Sequence, residues 1–478
     1  MIIMLRYLGF LFIVSSFFQS IPITVGLLHN ESVFLSIMSF SISLGIGLAF
    51  VIATQKSSKR LTDLTIKRGM ILAALSFTVI PLIGSIAFLP SMGYNLLDAY
   101  FESVSGFTTT GLTIYESIDH LPAGVRMWRA ATQWMGGIGI VLFFLFLMTR
   151  VNVKNQKITQ DITKRNKSTM ALYKANGFSE KFESSLKHTL SNVMIIYGGI
   201  TLFGIIALYG AGMPIFDSIA MTFTSVSTGG FSVTDSFYSS GVQLGILCLL
   251  MILGAFSFVS HNQLMKGKVK QFVLAFEKNV FLVFMVIASA LAYVFYPDIK
   301  VVIFQIVSSF TTTGYSLTSI ALLPQLFILL IMIGMIVGGC TASTAGGIKV
   351  GRWYYVLRAV PWYAKKRSLP EHAVVPLKVH KQNVDMWKLV GISIYIIAYI
   401  CILFVGTILF MVFGYDFLDA SFQVTSALGT VGLSTMKLAT IPPILKGVLI
   451  IAMLFGRLEI FPLFIALKGV LGIRKHTK

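Results

Sequence analysis

The sequence is poor in charge, and in acidic residues above all. Only 12% of its 478 residues are charged, with 18 Asp and Glu against 38 Lys and Arg, whereas soluble domains carry about 25% charged residues. Hydrophobic residues make up 56% of the chain, and the mean hydropathy is +0.83. Several apolar runs reach the roughly 20 residues that a helix needs to cross a bilayer. The sequence therefore excludes an ordinary soluble domain and predicts a polytopic membrane protein.

Cysteine and histidine are scarce as well. The three cysteines, Cys248, Cys340 and Cys401, lie far apart in or beside apolar runs, so they predict neither a disulfide framework nor a metal site. The seven histidines fall in loops or at segment ends. The chain has no HExxH string, no paired intramembrane carboxylates and no nucleophile–base set. It also lacks a Walker or GxGxxG string after a strand-like run. We expect no enzymatic activity and no covalently bound cofactor.

The net charge of +20 is distributed in a way that argues against a nucleic-acid partner. Basic residues gather in segments 55–68, 150–187, 266–278 and 349–388, and most acidic residues lie in the stretches between them. This alternation follows the positive-inside rule, so we expect the N-terminus and the basic loops in the cytoplasm. An apolar run near the N-terminus has no convincing cleavage site and is interpreted as a retained helix. Whether a basic loop docks an acidic partner is left open by charge alone.

A short loop rich in hydroxyls and glycine occurs four times. Each copy reads Thr-x-Gly, then a large apolar or aromatic residue, then Ser or Thr. The copies are Phe107–Thr113, Val226–Ser232, Phe310–Ser316 and Leu428–Ser434. An Asp stands 13 residues before the glycine in three copies (Asp98, Asp217 and Asp419), whereas the third has Val301 there and Asp298 three residues earlier. An Asp at a helix start caps free N–H groups, so we predict a half-helix of about 10 residues, ~15 Å long, before each loop.

These loops organise the chain into an all-α membrane protein. We predict four pseudo-repeated units of helix, pore helix, filter loop and helix around one pore, preceded by a transmembrane hairpin at 1–54. The units span 69–150, 186–262, 279–360 and 386–472. Only the closing helix of the third unit is expected to be broken.

The loops are candidate cation sites, because non-helical backbone at membrane depth is tolerated only where it is buried or lines a water-filled path. Carbonyls and Thr hydroxyls would replace the hydration shell of a cation, while glycine permits the required backbone. The alternative is that Thr and Gly are simply common in membrane helices. Glu102, within the first half-helix, is expected either to attract cations or to bond its own loop. The candidate filter residues are Thr109, Thr110, Gly111, Thr228, Gly229, Gly230, Thr312, Thr313, Gly314, Thr430, Val431 and Gly432.

Two further features lie in the closing helices. Glycines and hydroxyls interrupt the third one, which predicts either a flexible gating loop or a tight packing of small residues. Lys349 either anchors that loop or begins the next basic segment. Arg457, in the last apolar segment, is interpreted as a positive barrier below the filter, with a pair to Glu459 as the alternative. The candidate gating residues are Gly338, Gly339, Ser343, Thr344, Gly346, Gly347 and Lys349.

Together with the four loops, three ordered strings, Arg129–Ile140, Gly338–Val350 and Gly456–Phe461, resemble the Trk/Ktr/HKT superfamily of potassium transporters. The two additional N-terminal helices favour its TrkH/TrkG branch. The resemblance covers nearly the whole chain. It implies potassium uptake across a bacterial inner membrane through a gated, channel-like pore, with a Na⁺- or H⁺-coupled symporter as the alternative. The third and fourth loops depart from the pattern at Val301 and Val431, which suggests an asymmetric filter.

The resemblance also implies ligands and partners. A glycine at position 111, where some sodium-transporting plant relatives have serine, implies selectivity for K⁺. A cytoplasmic nucleotide-binding subunit of the TrkA type and a homodimer in the lipid bilayer are implied as well, with no nucleic acid. The implied K⁺ contacts are Thr109, Thr110, Thr228, Thr312, Thr313, Thr430 and Val431.

Overall fold

A computed structural model describes residues 2–55, 66–155, 186–370, 375–379 and 382–470. The predicted basic segments 55–68 and 150–187 fall largely outside these residues. Within the described part, six helices are long and apolar enough to cross a membrane, or up to eight if each of two bent pairs is counted as one span. The prediction of a multi-pass, all-helical membrane protein is confirmed.

The chain begins with a helical hairpin, α1 (Ile2–Leu28) and α2 (Phe34–Ala53). The two helices approach closely at Gly9 and Gly47, where an added side chain on either residue would meet the other's backbone oxygen. Close approach at small residues is typical of helix pairs in membranes. The Gln19 amide, buried between the helices, donates to Ser43 Oγ at 2.9 Å.

Four units of similar order follow the hairpin. The first contains α3 (Ile66–Gly84), a 3₁₀ segment (Ser85–Met92), α4 (Leu96–Phe107) and α5 (Ala123–Asn155). The second contains α6 (Leu186–Gly210), α7 (Ile215–Val226), α8 (Gly241–Ala255) and α9 (Phe258–Met265), and a short α10 (Val269–Val273) leads out of it.

The third and fourth units are joined by a short ribbon. The third contains α11 (Phe276–Phe295), α12 (Ile299–Phe310), α13 (Gln325–Val337) and α14 (Val350–Arg367). Strand β1 (Lys378–Val379) pairs antiparallel with β2 (Gln382–Asn383). The fourth contains α15 (Met386–Val412), α16 (Phe417–Leu428), α17 (Pro443–Arg457) and α18 (Phe461–Val470).

The four half-helices α4, α7, α12 and α16 have the same length of 12 residues, which corresponds to ~18 Å. Their capping differs from the prediction. Asp98, Asp217 and Asp419 lie within the first turn, at the third helical position, rather than at the N-cap. Side-chain caps are instead provided by Asn95 in the first unit and Asp298 in the third. The three aspartates complement the positive helix end instead.

The expectation that only the third closing helix is broken is wrong. The axis bends by 101° between α8 and α9, and by 115° between α17 and α18. In the third unit a non-helical segment, 338–349, separates α13 from α14. Three of the four closing helices are therefore interrupted. In the fourth unit the break lies at Glu459 and Ile460, whose φ values are positive (58° and 63°). Neither residue is a glycine, so the sequence does not indicate this break.

Polar residues lie at the centre of the molecule and apolar ones on its outside. All the residues of the four Thr-x-Gly triplets are buried except Gly230, Gly314 and Gly432, which are half-buried. Phe17, Val294 and Phe404, on outer helices, are 72%, 74% and 60% exposed. Such exposure suits a surface in contact with lipid, since an aqueous surface seldom carries apolar patches of this extent.

A long-range cap ties the hairpin to the first unit. The carboxylate of Glu31, in the turn after α1, accepts from the backbone N–H groups of Ala123 at 2.5 Å and Gly124 at 2.9 Å. These are the first two residues of α5, whose N–H groups have no partner within the helix. A carboxylate there also suits the positive end of the helix.

We expect Glu31→Ala to lower the apparent melting temperature of the purified protein, through a loss of about 1 kcal/mol, because it removes this cap. Thermal unfolding in detergent measures the effect. Glu116→Ala is the matched control, since Glu116 is exposed. Equal melting temperatures for the two variants would contradict the cap.

Candidate functional site

The four Thr-x-Gly loops share one backbone conformation. In each, the threonine and the glycine have positive φ and the residue between them does not. The left-handed region costs a non-glycine residue roughly 1–2 kcal/mol, so its fourfold occurrence at threonine reflects a conformation that the surroundings enforce. The φ values are 52°, 53°, 56° and 50° for Thr109, Thr228, Thr312 and Thr430, and 84°, 77°, 90° and 100° for Gly111, Gly230, Gly314 and Gly432.

The backbone N–H groups of the loops are directed back to the half-helices. In every loop the middle residue donates to the carbonyl five residues earlier, in the last turns of its own half-helix. The bonds run from Thr110 to Ser105 (2.9 Å), Gly229 to Thr224 (2.8 Å), Thr313 to Ser308 (2.9 Å) and Val431 to Ser426 (2.9 Å). The middle N–H groups of the loops are therefore bonded on the side of the half-helices, and the loop carbonyls remain on the opposite side.

The loops close into a ring in the order of the chain. A methyl group added at any of the four glycines would overlap the carbonyl oxygen of the middle residue in a neighbouring loop. The overlaps join Gly111 to Gly229, Gly230 to Thr313, Gly314 to Val431, and Gly432 to Thr110. The fourth loop thus returns to the first. All 12 candidate filter residues are brought together in this ring, hereafter the filter ring.

A hydrogen bond behind three of the four loops, here called the brace, explains the final Ser or Thr of the motif in those loops. Nine residues before the glycine, the half-helix carries Glu102, Gln305 or Gln423 in the first, third and fourth units. Each side chain accepts a hydrogen bond from the hydroxyl two residues after the glycine. The donors are Thr113 (3.0 Å), Ser316 (3.3 Å) and Ser434 (2.8 Å). The constant offset between these polar positions is a signal that the sequence reasoning missed.

The second unit lacks this brace and uses another. Met221 stands at the equivalent position and offers no side-chain acceptor of that kind. Instead Gln133, from α5 of the first unit, donates to Gly229 O at 2.6 Å and accepts from Phe231 N at 3.0 Å. Gln133 therefore holds the second loop across a unit boundary.

A buried ion pair links the first two loops. Arg129 Nε donates to Glu102 Oε1 at 2.8 Å, and both side chains are at most 1% exposed. Arg129 also donates to Ser232 O at 2.8 Å, and its guanidinium lies 4.1 Å from the centre of the Phe231 ring. Of the two roles considered for Glu102, bonding its own loop is the one observed, since it also accepts from Ile114 N at 3.1 Å.

The interrupted segment of the third unit, 338–349, lies against the filter ring. Gly346 N donates to Thr312 Oγ1 at 2.6 Å, and Gly347 N donates to Gly429 O at 3.2 Å. Thr344 Oγ1 donates to Val226 O at 3.0 Å and to Gly254 O at 2.9 Å. The segment therefore touches the ends of the second and fourth half-helices as well as the third loop.

Two charged residues bond to segment 338–349, hereafter the intramembrane loop. The Glu277 carboxylate accepts from the backbone N and from Oγ1 of Thr341, both at 3.0 Å. Lys349 is buried, has a φ of 80°, and donates through Nζ to Ala345 O. Of the two interpretations of Lys349, the one in which it anchors the loop agrees with these contacts. Gly338 and Gly339 begin the loop, and Ser343 Oγ donates to Cys340 O at 2.6 Å.

Arg457 is the last residue of α17, at the break that divides the last apolar segment into α17 and α18. Its guanidinium donates to Thr344 O of the intramembrane loop at 2.7 Å and to Gly136 O of α5 at 2.8 Å. Glu459 bonds Arg352 instead, at 2.5 Å, so the alternative of a pair with Arg457 is not observed. Arg457 therefore joins three units by contacts to backbone carbonyls.

Some hydroxyl groups in the filter ring have no partner. Within the described residues, Oγ1 of Thr109 and of Thr430 are buried without a hydrogen bond. The same residues contain no group of three or more His, Cys, Asp or Glu side chains that could hold a metal ion. Oxygen atoms of carbonyls and hydroxyls are therefore what the ring offers, and such ligands suit hard cations of low charge.

Comparisons with known proteins agree with this architecture. A family model described as "TrkH: Cation transport protein" matches residues 36–469. The chain is 27% identical to an uncharacterised cation transporter of Methanocaldococcus jannaschii, over 96% of this chain and 94% of that one. It is 28% identical to the Trk system potassium uptake protein TrkH of Escherichia coli, over 96% and 97%. The crystal structure of the potassium transporter TrkH from Vibrio parahaemolyticus superposes with a TM-score of 0.85 at 25% identity, covering 98% and 99% of the two chains.

We expect Glu102→Gln to destabilise the protein by about 3 kcal/mol, because it leaves the buried Arg129 charge without its counter-charge. The glutamine keeps an acceptor for Thr113, as Gln305 and Gln423 do for their own loops. Thermal unfolding in detergent measures the loss. The double variant Glu102→Gln with Arg129→Met should recover part of it, and Glu116→Gln is the surface control. If the double variant were no more stable than Glu102→Gln alone, the pairing would not be the cause.

Proposed function

The chain belongs to the TrkH family of cation transport proteins, and on that premise we propose that it takes up K⁺ through a gated, channel-like pore whose selectivity filter is the filter ring. The observation that carries the proposal is the closed cycle of glycine–carbonyl contacts among the four loops. The relatives named above are a potassium uptake protein and a potassium transporter.

The chemistry of the ring supports a monovalent cation as cargo. Carbonyl oxygens at Thr110, Gly229, Thr313 and Val431 lie where neighbouring loops meet, and replacement of a hydration shell by carbonyls is how potassium filters work. The unpartnered hydroxyls of Thr109 and Thr430 add acceptors that would otherwise be costly to bury. The four half-helices also direct their partly negative ends to the ring.

The intramembrane loop and Arg457 are proposed as the gate. The contacts of the loop with Thr312, Val226 and Gly429 support a position below the ring, at the exit from it. Arg457 adds a fixed positive charge there and holds the loop closed through Thr344 O. Opening then requires these hydrogen bonds to break together. The third unit supplies the moving segment, and the first and fourth supply its attachment.

A channel-like mechanism is favoured over ion-coupled symport by the state of the buried carboxylates. Coupling sites in transporters are usually acids at the midplane with freedom to bind an ion. Glu102 is paired with Arg129, and Glu459 with Arg352. Both carboxylates are already neutralised by a cation of the chain.

The proposal also includes an orientation of the chain in the membrane and two protein partners. By the positive-inside rule, the half-helices begin at the outer face and the basic segments are cytoplasmic. Lys365, Lys366 and Arg367, in the last turn of α14, belong to such a segment. A TrkA-type regulatory subunit and a second copy of the chain are the partners we expect, in a bacterial inner membrane.

We expect Gly111→Ser to lower the K⁺-over-Na⁺ selectivity about tenfold, because the added side chain displaces Gly229 O from the ring. Planar-bilayer recording with K⁺, Na⁺ and Rb⁺ measures it. Gly241→Ser is the matched control, since nothing lies within 4 Å of its added side chain. Unchanged selectivity in Gly111→Ser would overturn the filter assignment, and silent electroneutral uptake would favour the symporter.

We expect Arg457→Ala to raise K⁺ flux about tenfold, because it removes a positive charge from the path and frees Thr344 O. Arg457→Lys keeps the charge and should give a smaller increase. Flux into proteoliposomes measures both, with Arg358→Ala, a change of an exposed arginine, as control. Flux equal to the wild type in Arg457→Ala would show that Arg457 is no part of the gate.

A further inference from the structure

An apolar cavity of about 430 Å³ lies between the N-terminal hairpin and the first unit. Its lining comes from α1, α3, α4, α5 and α6 and is almost wholly apolar. Phe10, Val14 and Met194 on its border are 44%, 51% and 47% exposed. The cavity therefore opens to the outer surface of the helices, which in a membrane is in contact with lipid.

The length of the cavity matches one leaflet of a bilayer. Along α1 the lining residues run from Tyr7 to Phe18, a rise of ~17 Å. Half of the hydrocarbon core of a bilayer is ~15 Å thick. A straight acyl chain is the ligand that has this length and no polar atoms.

Within the described residues, a cation with unsatisfied donors lies next to the lining at one end of the cavity. Arg6, one residue before the lining begins, has its guanidinium carbon 5.9 Å from the centre of the Phe10 ring. Within the described part of the chain, its Nε and Nη1 atoms are buried and have no hydrogen-bond partner. Buried donors of a charged group are costly when unsatisfied, and a phosphate oxygen would satisfy both.

The deep end of the cavity meets the pore machinery. Phe107, the last residue of α4 before the first filter loop, contributes to the lining, as does Gly136, whose carbonyl accepts from Arg457. Gly139, one turn further along α5, has open space beside it. An occupant therefore packs against α5 at the level where Arg457 holds it.

We propose that this cavity is a binding site for one anionic phospholipid, with an acyl chain between α1, α3 and α5 and the phosphate at Arg6. The charge of the guanidinium selects an anionic headgroup, because the amine of a zwitterionic lipid would offset the attraction. The bound acyl chain packs against α5 beside the filter ring and thereby stabilises the contact of α5 with Arg457. The site goes beyond the proposed transport function and does not depend on it.

Trp134 lines the cavity and provides the test. Bromine atoms on an acyl chain quench tryptophan fluorescence on contact, and the contribution of Trp134 is the difference between the wild type and Trp134→Phe. The full chain is reconstituted in phosphatidylcholine vesicles with a minor fraction of brominated phosphatidylglycerol. We expect quenching of Trp134 to show a preference of about tenfold over random exchange with bulk lipid.

Two variants test the binding of the headgroup and of the acyl chain separately. Arg6→Gln should reduce the preference for phosphatidylglycerol to that for brominated phosphatidylcholine, whereas Lys67→Gln, a change of an exposed lysine nearby in the basic segment, should leave it unchanged. Gly139→Leu should fill the cavity and remove the excess quenching, whereas Gly245→Leu, also in open space, should not.

Three results would overturn the proposal. Quenching of Trp134 that follows the bulk fraction of brominated lipid would show ordinary contact with the bilayer. Equal quenching in Arg6→Gln and the wild type would show that Arg6 does not bind the headgroup. Fluorescence of Trp134 that no brominated lipid changes would show that a segment of protein, such as a second copy of the chain, covers the cavity.

Discussion

A non-helical backbone inside a bilayer has no water to bond with, so each of its N–H and C=O groups needs a partner from the protein or from an ion. In the filter loops, the N–H donors and the carbonyl acceptors meet this constraint in different ways. Their middle N–H groups bond to the half-helices behind them, while the carbonyls gather where neighbouring loops touch. Left-handed threonines and glycines make that division possible, and the braces at Glu102, Gln305 and Gln423 hold it. In the function proposed above, these acceptors are the place for a cation, and a requirement of the backbone then becomes the basis of selectivity.

The same constraint explains what surrounds the breaks in the closing helices. Arg457 lies at the break after α17 and donates to three carbonyls, Thr344 O of the interrupted segment, Gly136 O of the continuous helix α5 and, at 3.3 Å, Gly137 O of the same helix. Burial of a guanidinium is costly, yet three backbone acceptors and the partly negative end of α17 reduce that cost. The arrangement is stable only while the intramembrane loop stays in place. In the gate proposed above, one side chain would therefore have two effects: it stabilises the closed loop and opposes a passing cation.

Much of this architecture was predictable, and the exceptions have physical reasons. Four aligned Thr-x-Gly strings predict four equivalent loops, and apolar runs predict the helices around them. The break after Arg457 was missed, because Glu459 and Ile460 adopt positive φ without a glycine to mark it. The role of Asp98 was misassigned for another reason: its carboxylate bonds Lys446 of α17 at 2.6 Å, a contact between residues 348 positions apart. Long-range pairs of this kind, including Glu31 with α5, depend on the packing of the units and leave no local pattern.

The four filter loops are equivalent in backbone, but their units differ in the side chains behind the ring. The first carries the buried Glu102–Arg129 pair, and the second lacks a half-helix brace and borrows Gln133 from the first. The third supplies the intramembrane loop, and the fourth supplies Arg457. Because the carbonyl ring needs near-fourfold geometry, variation is tolerated only where it leaves the loops in register. Charges and breaks therefore lie one layer outside the ring, where each unit can contribute separately to stability, and in the proposed function to gating, without altering the geometry of the ring.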